Sequence, residues 1–195
     1  LKETVLGRYL KDSLILVAGT VFLSVAAGVS CAWLVTCCEF PGRRIFEWAL
    51  VLPLAVPTFI AAYAYFDLLD MLTPLLIWVR INVGPDVMIF LGDFLVYPVT
   101  ALVMASVLYP YVYLLARTGF LNTSDKLLSV AKIYNRSEFW SVCLPLSRPA
   151  IMVGLSLVSM EVISDFGTVE YFSLQTLTLG IFNVWIGMND IAAAA

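Results

Sequence analysis

The sequence contains no histidine, four cysteines and few charged residues, and each shortage excludes a class of function. Without imidazole, a hydrolytic site built on histidine, a histidine metal ligand and a histidine pH sensor are all excluded. The cysteines form no Cys-x-x-Cys pair and three of them share one apolar segment, which predicts neither a zinc site nor a disulfide framework. We interpret them as small apolar side chains: Cys31, Cys37, Cys38 and Cys143.

Apolar residues are abundant instead. They make up 62% of the chain, the charged residues make up 13%, and the mean hydropathy is +0.95, whereas soluble domains are about 45–50% apolar and about 25% charged. The apolar residues come in blocks of membrane-spanning length separated by short polar runs. The sequence therefore predicts an all-α integral membrane protein, a polytopic helical bundle that forms one domain over residues 1–195.

Five segments are predicted to cross the roughly 30 Å hydrocarbon core of a bilayer. They are residues 14–37, 48–66, 94–116, 149–164 and 172–188. Gly19 and Gly28, in the first segment, would let another helix approach closely. Pro53 and Pro57, in the second, each remove a backbone hydrogen bond that lipid cannot replace, which predicts a kinked helix facing protein or a cavity.

The polar residues 117–148 are too charged to span and carry five of the eleven basic residues. Placing this loop in the cytoplasm also places Arg43 and Arg44 there and leaves four basic residues outside, as the positive-inside rule prefers. Residues 1–13 are then periplasmic. The chain begins at Leu1 rather than Met and closes on a run of four alanines, so we expect it to be a piece of a longer protein without a visible signal peptide.

Few ionisable residues lie in the predicted spans, which argues against an enzyme. Glu161 and Asp165 lie one helical turn apart on a single span, whereas a membrane aspartyl protease needs carboxylates on facing helices. A channel would need a repeated filter segment, which the sequence lacks. A partly helical cytoplasmic loop fits a docking surface for a soluble protein. We therefore predict a transport protein with no catalytic residue, no metal site and no nucleic-acid partner.

Residues 127–149 resemble the cytoplasmic EAA loop of binding-protein-dependent ABC permeases, whose pattern is Glu-Ala-Ala, three residues, Gly, nine residues and Ile-x-Leu-Pro; they read LLSVAKIYNRSEFWSVCLPLSRP. Ser129 stands at the position of the Glu, and Val130 and Ala131 cover the two alanines. Asn135 replaces the Gly, and Asn also tolerates the left-handed turn that a helix-loop-helix needs.

The Leu-Pro pair of the loop arrives three residues early, a shortening by most of a helical turn. The resemblance implies a coupling element that transmits the closure of two ATP-binding subunits to the spans. Its residues would be Ser129, Val130, Ala131, Asn135, Leu144 and Pro145. The alternative is an interfacial helix ended by a proline turn.

Three further stretches are similar to the ferric iron type of permease: residues 33–70, residues 109–121 (YPYVYLLARTGFL) and residues 160–172 (MEVISDFGTVEYF). This resemblance implies a partial MetI-like type 1 transmembrane domain with about five of the six helices of one permease half, in a bacterial inner membrane. It implies as partners ABC ATP-binding subunits, a periplasmic substrate-binding protein, a second permease half or subunit, and membrane lipid. ATP would be used by the partner subunit, and no cofactor would be bound by this chain.

Six residues are candidates for the translocation path or its outer gate: Pro53, Pro57, Glu161, Asp165, Gly167 and Tyr171. Carboxylate oxygens suit ferric iron better than thiolates do. Solvated carboxylates at a membrane surface are the alternative. For the whole protein, importers of thiamine, phosphonate, sulfate or polyamine share the architecture, an ATP-independent secondary transporter is a rival class, and the altered loop also fits a half that does not couple.

Overall fold

The computed structural model describes residues 5–70, 74, 77–78, 81 and 85–187, and its regular elements in that part of the chain are all helical. The α-helices are α1 (Val5–Cys37), α2 (Arg43–Ala49), α3 (Thr58–Asp70), α4 (Pro85–Leu121), α5 (Asp125–Ile133), α6 (Leu144–Ser164), α7 (Gly167–Tyr171) and α8 (Leu177–Phe182). A 3-10 turn covers Leu52–Ala55, and π-helical turns cover Phe139–Cys143 and Asn183–Gly187. The all-α fold is confirmed; the terminal alanines lie outside the described residues.

Three helical stretches are long and apolar enough to cross a membrane: Leu6–Cys37, Leu95–Leu121 and Phe139–Ser164. The last of them corrects the predicted fourth span, which was placed at residues 149–164. It begins ten residues earlier because a π turn leads directly into α6. Leu144 and Pro145 are therefore the first two residues of α6 rather than the end of a loop. Pro145 has no backbone N–H to donate, so one helical hydrogen bond is missing here. A π turn is a form that a helix adopts at such an interruption.

The predicted second span is broken rather than merely kinked. Its two parts, Arg43–Ala55 and Thr58–Tyr65, are apolar enough to span only when taken together, and they are bent by 93° at the break. Pro57 lies at the break, and a proline disfavours helical geometry in the residue before it. Arg44, predicted to lie in a loop, belongs to the first turn of α2. The described part of the chain thus has three spanning helices, or four with this broken one.

The predicted fifth span, residues 172–188, begins later. Helix α8 has six residues and the π turn after it has five. These eleven residues are the described helical part of the predicted fifth span, which stays a prediction. Met188, the predicted end of the span, lies outside the described residues.

The chain packs as two compact units. The first consists of Leu1–Thr20, Val56–Met104 and Glu161–Ala195. Within it α1 meets α4 closely, since a Cβ added to Gly19 would lie 3.2 Å from the Cβ of Ala101. The N–H of Leu177 donates to the Oγ of Ser13 at 2.9 Å, which ties α8 to α1.

The second unit consists of Val21–Ala55 and Ala105–Met160. Here a Cβ added to Gly28 would lie 2.9 Å from both the carbonyl oxygen of Tyr109 and the backbone nitrogen of Tyr113. Only glycine allows α1 to approach the α4 backbone this closely. The ring of Trp33 packs on that of Phe139, 4.9 Å between centroids. The close helix packing predicted at the two α1 glycines is confirmed.

Candidate functional site

Asp165 is the polar centre of the first unit. It lies half-buried just beyond α6, and its Oδ2 accepts from the Oγ1 of Thr58 at 2.5 Å and from the Oγ1 of Thr168 at 2.9 Å. Its Oδ1 accepts from the backbone N–H of Thr168 at 2.8 Å. Thr58 begins α3 and Thr168 lies in the first turn of α7. One carboxylate therefore holds the starts of two helices, where backbone N–H groups lack helical partners.

Helix α7 rests on α3 through two further contacts. A Cβ added to Gly167 would lie 3.0 Å from the Cβ of Phe59, so the absence of a side chain lets the helices touch. The ring of Tyr171 stands edge-on to that of Tyr63, 4.5 Å between centroids. The structure thus brings together three of the predicted path residues, Asp165, Gly167 and Tyr171. We call these contacts with α3 the α3–α7 joint.

The other predicted path residues lie differently. Glu161 is exposed on α6, and its carboxylate has no partner in the part of the chain that the structure describes. Pro57 precedes α3, and its carbonyl oxygen accepts from the N–H groups of Ile60 and Ala61. Pro53 lies in the 3-10 turn of the second unit. Among the described residues no cluster of three or more His, Cys, Asp or Glu side chains could hold a metal ion.

Sequence reasoning missed the partner of Asp165. Thr58 is 107 residues away along the chain, and nothing in the sequence pairs the two positions. Thr168 had a local signal, because Asp is common just before a helix, where its carboxylate accepts from a backbone N–H of the first turn.

Helix α5 ends in a left-handed turn. Asn135 has a φ of 50°, the N–H of Arg136 donates to the carbonyl oxygen of Ala131 at 2.9 Å, and the N–H of Asn135 donates to that of Lys132 at 3.0 Å. This pair of bonds is the Schellman motif. The expectation that Asn135 adopts the left-handed conformation is confirmed, while its role in coupling stays a prediction.

The surface of α5 is apolar and open. Ala131 faces inward with 6% exposure, whereas Val130, Ile133 and Tyr134 are 49%, 80% and 75% exposed. Ser129, at the position of the pattern's Glu, is also exposed. Contiguous exposed apolar side chains mark interaction surfaces. We call Val130, Ile133 and Tyr134 the docking face; Leu144 and Pro145 are half-buried at the start of α6 and are not part of this helix.

A charged cluster in the second unit was also missed. Glu47 on α2 lies 3.3 Å from Arg117 of α4 and 3.8 Å from Arg43, measured between carboxylate oxygens and guanidinium nitrogens. Its backbone carbonyl accepts from the hydroxyl of Tyr113 at 3.2 Å. The available signal was an Arg–Glu pair four residues apart on an otherwise apolar helix. The cluster fixes α2 to α4.

Three helices long and apolar enough to cross a membrane define the class as a polytopic membrane protein. Residues 20–188 match the family of inner membrane components of binding-protein-dependent transport systems. The chain belongs to this family and is a multi-pass inner-membrane protein.

Named relatives transport different substrates. The chain is 24% identical over 193 residues to the Fe(3+)-transport system permease protein FbpB 2 of Haemophilus influenzae, covering 97% of this chain and 34% of the relative. It is 27% identical over 155 residues to the probable sulfate transport system permease protein cysT of Chlorokybus atmophyticus, covering 73% and 48%. It is 25% identical over 157 residues to the molybdenum transport system permease protein ModB of Escherichia coli, covering 78% and 65%. The chain thus spans between a third and just under two thirds of the length of these relatives.

Proposed function

We propose that the chain is the membrane-spanning part of the permease subunit of an ATP-driven ABC importer. Its family membership supports the class. The observation that carries the coupling role is the docking face, an exposed apolar surface on a short helix in the loop predicted to be cytoplasmic. ATP-binding subunits would seat on this face, and a periplasmic substrate-binding protein and a second permease half or subunit would complete the importer.

In this mechanism the permease contributes motion and no bond chemistry, and it binds no cofactor. Helix α5, closed by the Asn135 turn, is stiff enough to pass on a displacement when the ATP-binding subunits close. The spans then exchange two packed arrangements that open the path to one side at a time.

The α3–α7 joint is proposed as part of the outer gate. The oxygens of Asp165 already accept three hydrogen bonds from its own chain, so this carboxylate positions helices instead of binding cargo. Glu161, exposed and unpaired within the described part of the chain, is the remaining carboxylate of the pair that is free to contact a cation.

Ferric iron is the proposed cargo. The iron permease relative aligns with 97% of this chain, and the sulfate and molybdenum relatives with 73% and 78%. Those two relatives support an oxyanion as the second candidate. Uptake of iron-55, sulfur-35 sulfate and molybdenum-99 molybdate by cells with and without the full-length protein distinguishes the two; loss of iron uptake alone supports iron, and loss of either oxyanion alone contradicts it.

Crosslinking tests the coupling role. A single cysteine replaces Ile133 in full-length protein lacking Cys31, Cys37, Cys38 and Cys143, and Asn135 is kept so that the turn remains intact. A crosslink from position 133 to the neighbouring gene's ATP-binding protein, sensitive to nucleotide, is expected. The control is a cysteine at Glu170, an exposed position between the predicted fourth and fifth spans, which the predicted topology places on the periplasmic side. Equal crosslinking at both positions, or none at 133 in folded protein, would contradict the proposal.

A further inference from the structure

The outer surface of α2 carries an apolar groove. It has a volume of about 400 Å³ and is lined by Trp48, Val51, Leu52, Leu54 and Ala55. Trp48 is 78% exposed and Leu52 is 68% exposed. No residue of α2 is buried, so the described part of the chain leaves this face open.

A cation lies one helical turn from the groove. Arg44 precedes Trp48 by four residues on the same helix, which places both side chains on one face. Its guanidinium has no ion pair or hydrogen bond in the part of the chain that the structure describes. The neighbouring Arg43 differs, because it donates to the carbonyl oxygen of Thr36 at 3.1 Å and lies beside Glu47.

We infer that this face of α2 binds one anionic phospholipid of the phosphatidylglycerol type, with the phosphate on Arg44 and an acyl chain in the groove beside Trp48. The charge and the apolar groove match the two ends of such a lipid. A guanidinium binds phosphate oxygens through a planar fork of donors. Tryptophan prefers the membrane interface. The predicted topology places Arg44 at the cytoplasmic leaflet, whose anionic lipids bind basic sites.

Native mass spectrometry of the full-length protein in detergent tests this inference, with phosphatidylglycerol and phosphatidylcholine as probes. Arg44→Gln is expected to lower the retained phosphatidylglycerol about tenfold while leaving phosphatidylcholine unchanged. Trp48→Ala is expected to lower the retention of both lipids, because the acyl chain loses the indole ring that lines the groove. Arg136→Gln removes another exposed arginine, one that does not line the groove, and is expected to change the retention of neither lipid.

Two outcomes would overturn the inference. Equal losses for Arg44→Gln and Arg136→Gln would show that only overall charge attracts the lipid. A photocrosslinker at position 48 that captures a second permease chain, in membranes rich in phosphatidylglycerol, would show that protein covers the groove. Both readouts are independent of ATP and of cargo, so they stand apart from the test of the proposed function.

Discussion

Helices α5 and α7 end in the same motif but in different surroundings. At the end of α7, Ser173 has a φ of 56°, the N–H of Leu174 donates to the carbonyl oxygen of Val169 at 2.9 Å, and the N–H of Ser173 donates to that of Glu170 at 3.0 Å. Val169 and Leu174 are both buried, and such an apolar pair often closes a Schellman motif. At the end of α5 the residue equivalent to Leu174 is the exposed Arg136.

The starts of the two helices differ in the same sense. Asp165 accepts hydrogen bonds at the start of α7, whereas Ser124, at the N-cap of α5, makes no side-chain capping bond. Contacts within the protein therefore secure α7 at both ends. Helix α5 is held by the buried Ala131 and by the ion pair between Lys132 and Glu138, 3.4 Å apart, and its exposed apolar side chains leave room for contacts with another protein.

The largest expected effect is at the start of α7. Asp165→Ala should lower the free energy of unfolding of the full-length protein by about 2 kcal/mol, because it removes three hydrogen bonds to a charged acceptor. The matched change, Ser124→Ala at the start of α5, should stay within about 0.5 kcal/mol. Unfolding in a titration with dodecyl sulfate measures the free-energy change of both variants. Similar values would show that the starts of the two helices are equally secured.

Thr58 sharpens this first prediction. If Asp165 acts by joining α3 to α7, Thr58→Val should cost about 1 kcal/mol, and the loss in the double variant should be smaller than the sum because the residues share a bond. Strict additivity would mean that Asp165 and Thr58 act separately.

A smaller effect is expected where the two helices end. Ser173→Gly should raise the free energy of unfolding by about 0.5 kcal/mol. The left-handed conformation costs a residue with a Cβ about 1–2 kcal/mol, and part of the gain from removing the Cβ is lost because glycine has more conformational freedom in the unfolded chain. Asn135→Gly should change it by almost nothing, because Asn tolerates this conformation. The same titration measures the pair; a larger gain at position 135 would reverse the expected order.

The smallest effect on stability, and the one most specific to function, is expected on the docking face. Ile133→Ser should leave the free energy of unfolding within about 0.5 kcal/mol, because the side chain is 80% exposed. Uptake of the transported ion should nevertheless fall roughly tenfold, as for an interface anchor. Lys126→Ser, an exposed polar change on the same helix, is the control. An equal fall in uptake in that variant would show that Ile133 has no special role.

Local features of this protein were predictable from its sequence and distant contacts were not. Hydropathy gave the first and third spans because it is a property of neighbouring residues, and the Asn135 turn followed from the backbone tolerance of one residue. The start of the last long helix was placed too late, because Pro145, Arg148 and Pro149 lie inside it and resemble the end of a loop. The α3–α7 joint depends on a hydrogen bond between Thr58 and Asp165, which are 107 residues apart. A single sequence does not show which distant positions are in contact.

The break in the second span has a consequence for how the protein is made. Arg43–Ala55 is 13 residues long and α3 (Thr58–Asp70) is also 13, and each is about 20 Å, which falls short of the bilayer core. Glu47 obtains two of its partners, Arg117 and Tyr113, from α4. We therefore expect this segment to settle in the membrane only after α4 has been synthesised.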